Sequence, residues 1–273
     1  MNRVVVITGA SSGIGLEMAR QFAAGGDRVY ALARRLPDSV AEPSEAAAGS
    51  WFTMPLDVTD AEAARQAVTR IAAREGRIDI LVQAAGYGLA GSVEAMTPTD
   101  AAGQMGTNFL GACHLLGPVL ASMRARGSGL IIQLGSVAGF LPIPFQACYS
   151  ASKAALAALT MALANEVRPY GIRCMLVQPG DTRTGFTEAR VLCDADESLP
   201  YAERCRRSIA RMAADEQNGF PADRLAAKII RQANRRRPPL VYTPGLFYKL
   251  AALLSRVLPR RWVIAVLYGL YAR

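Results

Sequence analysis

Histidine is almost absent from this 273-residue chain. His114 is the only one, which excludes a multi-histidine metal centre and argues against a histidine-dependent triad. We expect it to be packed or hydrogen-bonded within a helix. The cysteines have no paired metal-ligand spacing, and because their number is odd, one would be left over if they were bridged. We therefore expect no metal and five reduced thiols, at Cys113, Cys148, Cys174, Cys193 and Cys205.

The C-terminal segment has no apolar run long enough to cross a membrane. Trp262–Tyr271 has ten uncharged residues, whereas a spanning helix needs about 20. The chain also has no internal repeat and no long linker. With 51% hydrophobic residues, it can bury the core of one domain.

Short strand-like runs alternate with alanine-rich helical stretches such as Ala61–Arg74 and Ala151–Val167. This alternation predicts an α/β domain, a doubly wound parallel sheet with helices on both faces. We assign residues 1–239 to this domain, with residues 34–50 as a surface loop, and residues 240–273 to a C-terminal helical extension. The predicted strands are Val4–Ile7, Val29–Ala33, Phe52–Leu56, Ile80–Gln83, Leu130–Leu134 and Cys174–Gln178.

A glycine-rich turn follows the first predicted strand and precedes a helical pattern. Its sequence is Thr8-Gly9-Ala10-Ser11-Ser12-Gly13-Ile14-Gly15. Glycine lets a pyrophosphate approach the backbone, and the free N–H groups and positive end of the next helix face the anion. The turn predicts a phosphate-binding loop, although a glycine-rich turn by itself is also compatible with a simple tight loop.

Tyr149 and Lys153 are four residues apart, with Ser136 thirteen residues upstream of the tyrosine. Positions i and i+4 share one face of a helix, so the ammonium of Lys153 can lie beside the phenol of Tyr149. We expect this charge to favour the phenolate and make Tyr149 usable as an acid/base. The alternative is a chance pair on an alanine-rich helix.

Together these motifs resemble the short-chain dehydrogenase/reductase family, from about residue 3 to residue 187. The resemblance implies a single-domain Rossmann fold and an NAD(P)-dependent oxidoreductase. It also implies catalytic roles for four residues: Tyr149 as acid/base, Ser136 as hydrogen-bond partner of the substrate oxygen, Lys153 on the nicotinamide ribose and Asn108 on a relay water. The predicted cofactor-binding residues are Gly9, Ser11, Ser12, Gly13, Ile14, Gly15, Arg34, Arg35, Asp57, Val58, Ala85, Gly86, Tyr149, Lys153, Pro179, Gly180, Thr182 and Thr184.

The chain departs from the family pattern at two places. Gln83-Ala84-Ala85-Gly86 replaces a motif that usually carries asparagine, which ties neighbouring strands together; we interpret the change as a local structural substitution. Thr182 stands where a β-branched apolar residue is common. Its backbone can still bind the carboxamide.

Arg34-Arg35 follows the second predicted strand, where an NAD-binding protein would carry an acid. A guanidinium there favours the 2′-phosphate of NADP(H). We therefore expect NADP(H) to be favoured over NAD(H). The alternative is that both arginines are solvated surface charges, with Asp38 close by.

Two further segments, residues 86–91 and 141–145, are similar to the branch of the family that holds estradiol 17-beta-dehydrogenase, retinol dehydrogenases and bacterial relatives. This similarity implies interconversion of an alcohol and its ketone or aldehyde on a small lipophilic substrate such as a steroid, retinoid or long-chain compound. Two other hypotheses stay open: a cofactor-binding regulatory protein with little turnover, and a peripheral membrane protein.

The extension 240–273 combines an apolar helical stripe with basic residues, and the chain has a net charge of +9. These features favour an interfacial helix on anionic lipid; the alternative is packing on the substrate pocket or a second subunit. Nucleic acid is not expected, because no recognition fold accompanies the charge. We expect a cytoplasmic protein, with peripheral membrane contact through 240–273, and the family resemblance implies a homo-oligomer.

Overall fold

A seven-stranded sheet, parallel throughout, forms the centre of the computed structural model, which describes residues 2–39, 49–193 and 198–273. Much of the predicted surface loop 34–50 lies outside the described residues. The seven strands are β1 (Val4–Thr8), β2 (Arg28–Leu32), β3 (Trp51–Met54), β4 (Ile80–Gln83), β6 (Gly129–Leu134), β7 (Ile172–Val177) and β11 (Val241–Tyr242).

Four short strands form two small parallel pairs beside this sheet. β5 (Leu89–Ala90) pairs with β9 (Val191–Leu192), and β8 (Thr182–Arg183) pairs with β10 (Phe220–Pro221). The two pairs connect the loops that follow β4 and β7 with segments closer to the C-terminus.

Helices cover both faces of the central sheet. One core cluster contains residues of α1 and α7, and the other contains residues of α2, α4 and α5. This arrangement confirms the predicted doubly wound α/β fold. The helices are α1 (Gly13–Ala24), α2 (Ala61–Glu75), α3 (Pro98–Met105), α4 (Gly111–Arg126), α5 (Ala147–Val167), α6 (Ala202–Gln217), α7 (Ala222–Ala233), α8 (Leu246–Val257) and α9 (Arg260–Tyr271).

The strand order is β11-β7-β6-β4-β1-β2-β3. The chain therefore winds in one direction from β1 through β2 to β3, and in the other direction from β4 onwards. Ligands of such folds bind outside the carboxyl ends of the strands where the direction changes. The predicted phosphate-binding loop directly follows β1 and therefore lies where the winding direction changes.

The segment 240–273 contains both a strand and two helices. Val241 and Tyr242 pair with Leu176 and Val177 of β7 and form the edge of the central sheet. The sequence pattern had indicated only helix here. Beyond these residues, α8 and α9 form the predicted helical extension.

Among the described residues, one helix is long and apolar enough to cross a membrane by length and composition alone. It spans Ala147–Tyr170, including the turn after α5, and nearly half of its most apolar stretch is buried inside the protein. Because α5 contributes to the core and carries Tyr149 and Lys153, burial in the protein explains its hydropathy.

Candidate active site

A cleft of about 810 Å³ opens at the carboxyl ends of the central strands. Every residue predicted to bind the cofactor lines it, and so do the predicted catalytic residues Ser136, Tyr149 and Lys153. Asn108 lines a cavity of about 10 Å³ that shares Val58 and Ala85 with the cleft. The fold thus brings together residues from positions 9 to 184.

The glycine-rich turn lines one part of this cleft, and its backbone packs closely against the segment after β4. Gly9 has a φ of +67°, and a Cβ there would lie 2.6 Å from the backbone nitrogen of Ala85. Ser12 precedes α1 in an extended conformation, and its side chain caps no backbone N–H among the described residues. The first N–H groups of α1 are therefore left for an anion, so the turn fits the pyrophosphate of a dinucleotide.

Positive charge lies at the end of β2. Arg34 and Arg35 are exposed and line the cleft. Hydrogen bonds from Thr59 hold the pKa of Asp57 below its ordinary value, with a smaller contribution from the charge of Arg34. Asp38 is engaged by Arg70 at 2.5 Å. The carboxylate of Asp38 is thus paired with α2, and that of Asp57 is within electrostatic reach of Arg34.

His114 has a structural contact beside the cofactor segment. Its Nδ1 lies 2.9 Å from the carbonyl oxygen of Val58, so the tautomer with a proton on Nδ1 donates a hydrogen bond. The contact joins α4 to the loop after β3. His114 thus lies in a helix as expected, but its hydrogen bond is to a loop 56 residues earlier in the chain and not within the helix.

Ser136 and Tyr149 lie next to each other at the carboxyl end of β6. Ser136 follows β6, and its Oγ accepts a hydrogen bond from the backbone of Ala138 at 3.1 Å. Tyr149, in the first turn of α5, is buried. Burial raises the pKa of Tyr149 to about 12, although the hydrogen bond with Ser136 acts in the opposite direction. At neutral pH the phenol therefore carries its proton.

Lys153 lies beside Tyr149, but its presence does not bring the pKa of the phenol below the ordinary value. Its Nζ donates to the carbonyl of Leu134 at 2.8 Å and lies 5.7 Å from the centroid of the Tyr149 ring. Burial lowers the pKa of Lys153 to about 8. The lysine is next to the tyrosine, as the spacing predicted. Loss of solvation is the largest cause for each residue and disfavours both charged forms.

Asn108 lies in a π-helical turn, Gly106–Leu110, between α3 and α4. Its Oδ1 accepts from the backbone N–H of Tyr87, and its Nδ2 donates to the Tyr87 carbonyl and to Ser152, each at 3.1 Å. The side chain therefore ties the end of β4 to α5. Such widened turns are frequent at functional sites, and the sequence pattern did not predict this one.

The unusual Gln83 makes a different connection from the expected asparagine. Its Nε2 donates to the carbonyl of Ala112 at 2.7 Å. It thus ties β4 to α4, which agrees with a local structural substitution.

A residue that the sequence analysis missed fixes the segment after β7. The ring of Tyr248, from α8, packs on Gly180, where a Cβ would lie 2.1 Å from its Cζ. The Tyr248 hydroxyl donates to Oδ2 of Asp181 at 2.5 Å. Thr182 donates to the Gly180 carbonyl at 3.0 Å. The only sequence signal was a tyrosine within the apolar stripe of α8.

The remaining wall contains groups that no motif indicated. The ring of Phe186 lies 5.6 Å from that of Tyr149, and Glu216 also lines the cleft.

All five cysteines are free, and no group of three or more His, Cys, Asp or Glu could hold a metal ion within the described part of the chain.

The doubly wound sheet, its glycine turn and the Ser136, Tyr149 and Lys153 group define a dinucleotide-dependent oxidoreductase. The chain belongs to the short chain dehydrogenase family, whose model matches residues 3–192. The expected family and enzyme class are confirmed, and the protein is a nicotinamide-dependent dehydrogenase/reductase.

Two relatives of this chain are named after the compound on which they act. It is 38% identical over 238 residues to a 3-ketodihydrosphingosine reductase of Bacteroides thetaiotaomicron, covering 87% of this chain and 86% of that one. It is 32% identical over 270 residues to human retinol dehydrogenase 8, covering 93% and 85%. A solved short-chain dehydrogenase from Streptomyces avermitilis is 31% identical, with a TM-score of 0.79 over 93% of this chain and 96% of that one.

Proposed function

We propose that this protein is an NADP(H)-dependent oxidoreductase that interconverts an alcohol and its ketone or aldehyde on a lipophilic substrate. The observation that carries the proposal is one continuous cleft, lined by Arg34 and Arg35 and also by Ser136, Tyr149 and Lys153. A dinucleotide joins a phosphate-bearing end to a reacting ring, so one ligand can engage both groups.

The cofactor, when bound, supplies or accepts a hydride. In the reducing direction the protonated Tyr149 donates its proton to the carbonyl oxygen, and Ser136 hydrogen-bonds the same oxygen. The ammonium of Lys153 stabilises the phenolate that forms on proton transfer. In the oxidising direction these roles reverse.

Preference for NADP(H) is supported by the two arginines after β2. Both are exposed to the cleft, where they can form charge-assisted hydrogen bonds with a 2′-phosphate. Asp38 is paired with Arg70, and the two arginines carry more charge than Asp57, the carboxylate within electrostatic reach of Arg34.

A lipophilic substrate is supported by the apolar wall around Tyr149. Ile143, Phe186, Ala189 and Val191 line the cleft. The similarity to a 3-ketodihydrosphingosine reductase and to a retinol dehydrogenase favours long hydrocarbon substrates.

Substitution of the acid/base tests this function. Purified protein and Tyr149→Phe are assayed with NADPH and NADH against 3-ketodihydrosphingosine, retinal and steroid ketones. We expect turnover with NADPH that falls at least 100-fold in Tyr149→Phe, because the general acid is lost. The exposed Tyr170→Phe is the control. Tight NADPH binding with no turnover of any compound would instead support the regulatory alternative.

We also infer that α8 and α9 contact an anionic lipid surface. Each helix leaves an apolar face more than half exposed, while Tyr248 and Tyr271 anchor the opposite side through Asp181 and Asp215. Exposed basic residues border these faces, which complements anionic headgroups. The faces consist of Leu246, Phe247, Leu250, Leu253 and Val257 in α8 and Trp262, Val266 and Leu270 in α9, and the basic residues are Lys249, Arg256, Arg260 and Arg261.

A further inference from the structure

A buried ion pair lies at the cleft wall close to Tyr149, and the mechanism above does not use it. Glu216 lines the cleft. One of its carboxylate oxygens accepts from the guanidinium of Arg190, and the other accepts from the hydroxyl of Thr187 at 2.6 Å. The side chain of Arg190 is 3% exposed and that of Glu216 is 14% exposed.

A carboxylate at this position compensates the buried charge of Arg190, but its placement is otherwise unfavourable. Glu216 is the second-last residue of α6, where the negative end of the helix dipole opposes another negative charge. Burial raises its pKa above the ordinary value, although Thr187 and Arg190 act in the opposite direction. A buried ion pair is often no more stabilising than apolar side chains of similar volume. A ligand-binding role accounts for the carboxylate better.

The pair is within electrostatic reach of the reacting phenol. The negative charge of Glu216 raises the pKa of Tyr149 and the positive charge of Arg190 lowers it. Phe186 lies between Tyr149 and the ion pair. Its ring centroid is 5.6 Å from that of Tyr149 and 6.0 Å from the guanidinium of Arg190. A substrate group held by Glu216 would therefore lie in the same cleft as the reacting phenol.

The hydrogen-bonding capacity of Glu216 indicates what it can bind. A carboxylate oxygen can accept two hydrogen bonds, and the described residues supply one to each oxygen of Glu216. The remaining positions can only accept, so they suit a donor. An ammonium fits best, because a desolvated carboxylate interacts more strongly with a cation than with a neutral hydroxyl.

We propose that Glu216 binds the ammonium group of an amino ketone or amino alcohol substrate, while Ile143, Phe186 and Val191 contact its hydrocarbon chain. Arg190 and Thr187 position the carboxylate. The inference rests on the proposed oxidoreductase function and narrows its lipophilic substrate to a long-chain compound with an amine near the reacting carbon.

The test compares two ketones in wild-type protein and Glu216→Gln. One ketone is 3-ketodihydrosphingosine, and the other is its analogue of the same chain length without the amino group. We expect wild type to prefer the amine, and Glu216→Gln to lower the ratio of the two kcat/KM values about 10- to 100-fold, as for loss of a hydrogen bond between charged groups. Glu203→Gln, an exposed position on the same helix, is the control and should keep the ratio.

The outcomes separate this inference from the proposed function. Turnover of both ketones at a ratio that Glu216→Gln leaves unchanged overturns the ammonium site alone, as does a preference for a hydroxylated neutral ketone that depends on Glu216. Absence of NADPH oxidation with either ketone in wild type overturns the proposed substrate class. If Glu216→Gln does not fold, Glu216→Asp takes its place. The ratio of the two kcat/KM values must still fall, because the shorter side chain places the carboxylate farther from the ammonium group of the substrate.

Discussion

Tyr149 and Lys153 show how burial shifts the pKa values of two residues that the sequence identifies by spacing alone. Both side chains are less than a tenth exposed. Burial disfavours the phenolate and the ammonium alike, so the pKa values lie at about 12 and about 8. At neutral pH this leaves a protonated tyrosine beside a protonated lysine, the pairing that proton donation to a ketone requires.

The buried Lys153 should make stability depend on pH. Its folded pKa of about 8 lies below the ordinary 10.5, so the unfolded chain holds this proton more tightly between these values, and the free energy of unfolding rises with pH. Relative to Lys153→Met, we expect wild type to gain about 2 kcal/mol between pH 7 and pH 9.5. Urea denaturation at both pH values measures it.

The exposed Lys249 provides the control. Lys249→Met should keep a constant difference from wild type over the same pH range. A constant difference for Lys153→Met as well would show that the lysine is not desolvated in the folded protein.

Arg34 should determine cofactor choice. In Arg34→Asp, the carboxylate repels a 2′-phosphate and accepts from a ribose 2′-hydroxyl. We expect the ratio of kcat/KM for NADPH over NADH to fall about 10- to 100-fold. Steady-state kinetics with both cofactors measure it. Arg235→Asp, at an exposed position that does not line the cleft, should keep the ratio, and an unchanged ratio in Arg34→Asp would refute the 2′-phosphate assignment.

At the scale of elements, α8 connects the exposed apolar surface to the active site. Its Tyr248 packs on Gly180 and bonds Asp181, both of which line the cleft. Leu246 and Phe247, by contrast, are among its most exposed apolar residues. One helix thus supports the segment predicted to bind the nicotinamide and presents the surface proposed to contact lipid.

Removing the exposed apolar side chains of α8 should weaken membrane binding. We expect Leu246→Glu/Phe247→Glu to bind vesicles of phosphatidylglycerol and phosphatidylcholine more than tenfold less tightly than wild type, because apolar burial is lost and like charges face each other. Co-sedimentation at two salt concentrations measures it, since added salt should weaken the wild-type interaction.

Val93 is a matched control because it is exposed and apolar but lies outside α8 and α9. Val93→Glu should bind the vesicles as wild type does. Equal binding by the α8 variant would exclude this surface as the lipid contact.

The elements that periodicity predicted are those whose residues lie in the core. Val4–Ile7 and Ile80–Gln83 lie entirely within β1 and β4, because buried parallel strands are continuous apolar runs. β11 was missed because Val241 and Tyr242 are only two residues at the sheet edge and have partly exposed side chains. The π-helical turn at Asn108 was missed because it interrupts a helical pattern without changing its composition.

At the scale of the whole molecule, neither the core nor the cleft accounts for two properties of the protein. These are the net charge of +9 and the exposed apolar faces of α8 and α9. The described residues form one central seven-stranded sheet with a core cluster on each face and two small strand pairs beside it. The net charge therefore affects which partners the protein binds and does not determine its fold. The cytoplasmic location, the homo-oligomer and the domain boundary near residue 240 stay predictions.

The sequence by itself determined the family, the parallel sheet, the glycine turn and the Ser136, Tyr149 and Lys153 group, because these depend on local spacing and on residue types with few substitutes. Only the tertiary structure decided the pKa shifts of Tyr149 and Lys153, the hydrogen bonds of Asn108, the packing of Tyr248 on Gly180 and the Glu216 ion pair in the cleft wall. These depend on burial and on contacts between residues far apart in the chain, which periodicity does not record.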